Sequence, residues 1–332
     1  MPLTSVEVCA GAGGQALGLE AAGFKHLACV EMDARACETL RQNRPQWNTL
    51  QMDLNEWSAQ SFKGKVDLFA GGVPCPPFSK AGKQLGADDE RNLFPRALEL
   101  IRQADPRAVM IENVRGLLDP QFEGFRDEVS RELASMGFRP HWKLLHASDF
   151  GVSQLRPRVV MVAIKDPWDA YFTWPEPARK PARTVGQLLF DLMSSNGWEG
   201  ASEWARQANA IAPTLVGGSH KHGGPDLGPT RARKAWAQLG VDGKTIAPAA
   251  PEAGFTGTPR LTVEMGALVQ GFPPDWKFSG PKTAAWRQVG NAFPPPVAAA
   301  VGTQIAKALN ARLDTEPPQN SARAQEPELL FQ

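Results

Sequence analysis

An alternation running through roughly the first 165 residues constrains the fold more than any other feature of the chain. Short apolar runs at 6–9, 27–31, 66–70, 108–111 and 159–164 have the length and β-branched content of buried strands. Between them, 15–22, 34–43, 92–104 and 122–136 repeat apolar residues at helical spacing. Strands and helices in strict turn predict an α/β fold with a Rossmann-like, mostly parallel sheet and helices on both faces. Ligands of such sheets sit beyond the carboxyl ends of the strands, so the residues that follow each strand are the ones to read for chemistry.

Past residue 175 the alternation stops. Pro and Gly become frequent, and Trp198, Trp204 and Trp236 stand among basic residues. A helical pattern returns over 296–313, with a Pro-rich start that suits a helix N-terminus. The expected organisation is a large domain over 1–175, a small irregular domain over 176–280, and a segment over 281–313 whose helix returns to the large domain. Residues 314–332 are Pro-, Gln- and Glu-rich and are expected to be disordered; the final Leu330-Phe331-Gln332 resembles a protease-tag scar. A length of 332 residues accommodates this division. No apolar run approaches the ~20 residues of a membrane span, and the N-terminus lacks the layout of a signal peptide, which points to the cytoplasm. The four cysteines (Cys9, Cys29, Cys37 and Cys75) show neither disulfide density nor metal-ligand spacing, so reduced thiols and no metal are expected.

The first strand runs into Ala10-Gly11-Ala12-Gly13-Gly14, where glycines allow a tight turn and close approach of a ligand to a helix N-terminus. The second ends in Glu31-Met32-Asp33, an acid placed to accept from ribose hydroxyls, and Asp53 is a third candidate, for an adenine amino group. The spacing is not GxGxxG and no phosphate-binding Lys follows, so an adenosine cofactor without phosphates fits better than NAD or ATP. A glycine turn with no ligand is the alternative. The third strand leads into Gly71-Gly72-Val73-Pro74-Cys75-Pro76-Pro77-Phe78-Ser79, where two glycines and three prolines hold one thiol at a strand end. That is how a nucleophile is presented, whereas Cys9, Cys29 and Cys37 fit inert packing positions. The next strand ends in Glu112-Asn113-Val114, a carboxyl for the same crevice or simply a helix cap. Gln154-Leu155-Arg156-Pro157-Arg158 precedes the last strand, and its two arginines, at i and i+2, are expected on one side. A solvated basic loop is the bland reading.

In this order, residues 7–14, 71–79, 112–114, 154–158 and the block Arg287-Gln288-Val289-Gly290-Asn291-Ala292 with Pro294-Pro295-Pro296-Val297 resemble the DNA cytosine-5 methyltransferases, over about 1–175 and 260–310. The resemblance implies the S-adenosylmethionine methyltransferase fold and a base flipped out of double-stranded DNA. Cys75 would attack carbon 6, Glu112 would hold or protonate ring nitrogen 3, and Arg158 would bind O2, with Arg156 as support or phosphate ligand. The cofactor would be held by Cys9, Ala10, Gly11, Ala12, Gly13, Gly14, Glu31, Met32, Asp53, Leu54, Pro74, Asn291 and Ala292. Two departures from the family pattern are Cys9, where many members carry a Phe, and a proline in place of the Gln of the Pro-Cys loop.

The resemblance also places target recognition in the irregular region. Between Arg179 and Lys244 nine Lys or Arg face five Asp or Glu, a local surplus of four in a chain of net charge +1. DNA contacts are expected from Ser79, Lys80, Gln154, Lys221, Arg231, Arg233 and Lys234, through phosphates for affinity and base edges for choice of site. Three rivals stand beside this reading. An amino-methyltransferase would need Asp, Asn or Ser where Cys75 precedes its prolines. An RNA cytosine-5 methyltransferase would not need so large a basic segment. A binding module without activity would not keep Cys75, Glu112 and Arg158. A monomer is expected, with a partner restriction endonuclease acting on the same site or an orphan role.

Overall fold

The computed structural model describes residues 2–74, 93–217 and 224–322. Its centre is a seven-stranded sheet of order β3-β2-β1-β4-β5-β7-β6. The strands are β1 (Leu3–Val8), β2 (Phe24–Glu31), β3 (Thr49–Gln51), β4 (Leu68–Gly71), β5 (Ala108–Val114), β6 (Phe138–His146) and β7 (Pro157–Lys165). β1 to β5 pair in parallel. β7 runs antiparallel to both of its neighbours, β5 and β6. The expected Rossmann-like sheet is therefore present, with one strand reversed. β3 and β6, which the sequence pattern did not reveal, are the two edges. Edge strands carry polar residues that blur the two-residue alternation. β6 contains Arg139, Pro140, His141 and Lys143.

Helices α1 (Gly14–Ala21), α2 (Ala34–Asn43), α3 (Phe94–Ala104) and α4 (Glu123–Ser135) lie within a few residues of expectation. Alternate strand residues enter opposite cores, as strand geometry requires. Leu68, Ala70, Met110, Val160 and Val162 pack with Leu19 of α1 and with Val297, Val301 and Ile305. Val8, Phe69, Val109, Ile111 and Met161 pack on the other face with Leu100 and Ile101 of α3 and Val129 and Leu133 of α4.

The region after 175 is more regular than expected. It holds α5 (Val185–Ser194), α6 (Ala201–Gln207), α7 (Thr230–Gln238) and α8 (Val263–Gln270), followed by α9 (Lys282–Asn291). Trp204, Trp236 and Trp286 are buried in a third core, shared with Leu40 and Trp47 from the α2 side. Thr39 donates to Gln288 Oε1 at 2.6 Å, and Asn43 donates to the Lys277 carbonyl at 2.7 Å, tying α2 to the same region. α10 (Pro295–Leu309) returns to pack along α1, ending four residues before the expected Leu313. Residues 314–322 were expected to be disordered. They instead run back against the sheet domain, where Tyr171 Oη donates to the Thr315 carbonyl, the Ala322 N–H donates to the Phe172 carbonyl, and Ala322 is buried. No helix of the described residues is long and apolar enough to cross a membrane.

The α1–α10 contact depends on Gly18. A Cβ there would lie 2.5 Å from Ala298 Cβ and 2.7 Å from the Ala299 nitrogen. Gly124, in α4, has open space where its Cβ would be. Gly18→Val is expected to lower the unfolding free energy by about 2–3 kcal/mol through overpacking. Gly124→Ala is expected to raise it by roughly 0.5–1 kcal/mol through helix propensity. Urea denaturation of both variants checks the opposite signs.

Candidate functional site

Strand order reverses beside β1: β2 and β3 lie on one side, β4 and β5 on the other. The turns after β1 and β4 therefore open into one crevice. After β1 the backbone turns through left-handed conformations at Cys9 (φ 51°), Gly11 (φ 54°) and Gly13 (φ 86°). Glycine takes such φ values at no steric cost, and Cys9 takes one against the usual preference of a side-chain-bearing residue. Gly13 caps α1 with no side-chain hydrogen bond, and a Cβ on Gly11 would meet nothing within 4 Å. The glycine turn thus offers an uncapped helix N-terminus and an unobstructed backbone surface.

Glu31, at the end of β2, ties this turn together. Its Oε2 accepts from the Gly11 N–H at 2.7 Å and its Oε1 from the Asp33 N–H at 2.8 Å. Asp33 is the N-cap of α2, accepting from the Arg35 and Ala36 N–H groups. Desolvation pushes the Glu31 pKa up, against the hydrogen bonds that pull it down. The Cys9 thiol is pushed up by burial and by the charges of Glu31, Glu7 and Asp53. Cys29 is also pushed up by burial, and Cys37 to about 11, so these thiols stay protonated. Met32 is 66% exposed at the rim, Asp53 is half-buried, and Leu54 is buried.

On the other side of the crevice Glu112 lies near the end of β5, two residues before Val114. In the β5–β7 register Glu112 opposes Val160 and Val114 opposes Arg158. Arg158 is thus a diagonal neighbour on the same face as Glu112. Its Nε lies 2.8 Å from Glu112 Oε1, with the two side chains only 13% and 12% exposed. Burial raises the Glu112 pKa, while the Arg158 and then the Arg156 charge lower it; the net shift is upward. The second oxygen, Oε2, lies over Gly72, where a Cβ would be 3.2 Å away.

Asn113, beside Glu112, was not singled out from the sequence, although it sits in the same block. Its buried Nδ2 donates to the Val73 carbonyl at 2.9 Å, and its Oδ1 accepts from the Val114 N–H. It anchors the chain one residue before Pro74 and two before Cys75. Cys75, Ser79, Lys80 and Lys221 lie outside the described residues.

Two expectations from the 154–158 block need correction. Of the two roles expected for Arg156, support and phosphate contact, its surroundings leave support, because the guanidinium is taken up by buried main-chain carbonyls. Its φ of 22° turns it out of strand geometry, and its side chain is fully buried. Nη1 donates to the Leu215 carbonyl, and Nη2 to those of Gly290 and Ala292, each at 2.8 Å. Gln154 likewise cannot contact DNA. It is fully buried, donating to Gln270 Oε1 and accepting from the Leu215 N–H. Gln270, itself buried, donates to the Ala292 carbonyl. Nothing local in the sequence marks Gln270, because its partners lie more than twenty residues away. Between the two buried side chains Leu155 is 48% exposed. Of the basic residues, Arg231, Arg233 and Lys234 share α7; Arg231 and Lys234 are exposed, and Arg233 and Lys234 line an open groove with Trp198, Trp204 and Lys244.

Residues 3–307 match the family model for C-5 cytosine-specific DNA methylases. The chain is 54% identical to Type II methyltransferase M.NgoMIV of Neisseria gonorrhoeae over 316 residues, covering 93% of this chain and 99% of that one. It is 57% identical to Type II methyltransferase M.NaeI of Lentzea aerocolonigenes over 313 residues, with 93% and 76% covered. Among solved structures, a prophage-encoded DNA modification methyltransferase of E. coli superposes with a TM-score of 0.66 at 23% identity, over 93% of this chain and all of that one.

Replacing Asn113 by Ala leaves the Val73 carbonyl buried without its donor. The expected cost is about 1–3 kcal/mol of stability. Cleavage by a nonspecific protease near residues 73–75, under native conditions, is expected to speed up; unchanged cleavage and stability would remove the anchoring role.

Proposed function

We propose that this chain, which belongs to the C-5 cytosine-specific DNA methylase family and is a DNA (cytosine-5)-methyltransferase, works through a covalent adduct on Cys75. The observation that carries this reading is the Glu112–Arg158 pair, held at the end of β5 beside the anchored stretch that leads to Cys75. Carbon 5 of cytosine is a weak nucleophile. Attack of the Cys75 thiolate on carbon 6 converts the ring to an enamine while ring nitrogen 3 gains a proton. Glu112 is suited to supply it: burial favours its protonated form, and Oε2 faces Gly72 while Arg158 Nε sits at Oε1. Arg158 keeps donors to spare for O2 of the base. Once carbon 5 carries the methyl group, loss of its proton to water, departure of the Cys75 thiolate and return of the nitrogen 3 proton to Glu112 would restore the aromatic ring. The base reaches the crevice by rotating out of the duplex, which costs a few kcal/mol.

When bound, S-adenosylmethionine supplies an electrophilic methyl group on a sulfonium. The residues fit it. The glycine turn from Ala10 to Gly14 presents backbone and an uncapped helix end, Glu31 has lone pairs left for ribose hydroxyls, and Met32 gives an exposed apolar face for adenine. Asp53, Leu54, Pro74, Asn291 and Ala292 complete the proposed binding set, with Cys9 where many members have an aromatic ring. We assign 1–175 to catalysis and cofactor binding, 176–280 to target recognition and 281–313 to the returning segment. Arg231, Arg233 and Lys234, with Lys221, are the proposed DNA contacts. The relatives named Type II methyltransferases support a restriction-modification role. A separate endonuclease for the same site, a monomeric state and a cytoplasmic location are part of the same proposal.

Labelled methyl transfer to unmethylated genomic DNA, followed by nucleoside analysis, tests the reading. The wild type is expected to form 5-methylcytosine and Cys75→Ser to form none. Appearance of N4-methylcytosine or N6-methyladenine would overturn the nucleophile assignment.

A second test uses pH. Glu112 titrates above the ordinary carboxylate range, so its proton is present below the raised pKa and lost above it. The single-turnover rate is expected to fall on the alkaline side through that value. Glu112→Gln, which can hydrogen-bond but not give up a proton, is expected to lower the plateau by roughly 10²–10⁴-fold and to abolish that limb. Retention of the limb in the variant would assign it to another group.

A further inference from the structure

Two chain segments far apart in sequence cross at Gly217 and Gly290 with no room between them. A Cβ on Gly290 would lie 2.5 Å from Gly217 Cα, and one on Gly217 would lie 2.5 Å from the Arg287 carbonyl oxygen. Neither glycine has a positive φ, so contact and not backbone freedom requires it. The crossing is pinned from below by a buried polar network. Arg156 reaches Leu215 on one segment and Gly290 and Ala292 on the other, and Gln154 takes the Leu215 N–H. Arg156 stands two residues before Arg158, which holds Glu112.

We propose that Gly217, Gly290 and Arg156 are positioning residues that hold the recognition region in register with the Glu112–Arg158 pair. The proposal rests on the assignment of 176–280 to target recognition. Gly217 is where the chain from α5 and α6 meets the catalytic wall, immediately before the Gly-, His- and Lys-containing stretch of the sequence. Segments joined by apolar packing alone can slide by fractions of an ångström. Three charge-assisted hydrogen bonds from one planar guanidinium, on carbonyls of both segments, fix their offset. DNA held by the recognition region is thereby set at one distance from the crevice. Displacements near 1 Å at a reacting centre cost about 10²-fold in rate.

The test compares Gly217→Ala, Gly290→Ala and Arg156→Lys with wild type and with Gly124→Ala, whose Cβ would meet nothing. Cofactor affinity, DNA affinity, melting temperature and the single-turnover rate at saturating DNA are measured on each. Wild type and Gly124→Ala are expected to behave alike. In the three crossing variants the rate is expected to fall about 10–100-fold while both affinities stay within about threefold. A folded variant with an unchanged rate overturns the proposal, as does a loss of rate matched by equal losses of cofactor and DNA affinity. Should Gly290→Ala fail to fold, Gly217→Ala decides; failure of that variant to fold as well would make the crossing a core contact and overturn positioning. Absence of 5-methylcytosine with the wild type would instead strike at the enzymatic reading itself.

Discussion

The reversal of β7 is the constraint on which the site depends. In a fully parallel sheet, only carboxyl ends of strands meet the ligand crevice. Because β7 runs antiparallel to β5, the start of β7 arrives at the same edge, and Val114 is paired with Arg158. A guanidinium can then stand on the same face as Glu112, two residues along the register. With a parallel β7, Arg158 would sit at the opposite edge of the sheet, and the carboxyl would have no cationic neighbour.

That placement sets a balance for Glu112. An almost buried carboxyl favours its neutral form, and a guanidinium at 2.8 Å favours the charged one. Burial prevails, so the group keeps a proton at higher pH than a free carboxylate while remaining oriented by a charged partner. The linkage has a sign. A carboxyl whose pKa is raised by folding adds most to stability below its unfolded value, and that contribution is lost as pH climbs through the folded one. Glu7 and Glu31 on the same edge are shifted upward too, both chiefly by burial. The carboxyl edge of the sheet thus forgoes some stability at neutral pH for protonatable groups at the crevice, a pattern common to functional sites.

Much of this was legible in the sequence because it is local. Strand-end motifs name their own positions: Gly11, Gly13, Glu31 and Glu112 fall where the alternation puts them. The DNA contact given to Gln154 and the phosphate contact offered as one role of Arg156 were misread for a physical reason. Spacing of i and i+2 predicts a common side only if the backbone stays extended, and the left-handed φ at Arg156 breaks that premise. β3 and β6 escaped because edge strands lack a two-sided apolar pattern. The helices after residue 175 escaped because Pro and Gly around them hide short helical periods, and the buried tryptophans mark a core that no run of strands announces.

What remained hidden is the class of contact that joins distant segments through backbone groups. Arg156 donates only to main-chain carbonyls, at residues 215, 290 and 292, and any residue could have supplied them. No side-chain pattern at those positions records the bond. The two glycines at the crossing do leave a trace, but one that a turn would leave as well. A glycine conserving space differs from a glycine allowing a turn only in its φ and its neighbours, and both are properties of the folded chain. The Glu112 carboxyl can be named from its strand; the frame proposed to set its distance from a bound duplex can be read only once the two segments are seen to touch.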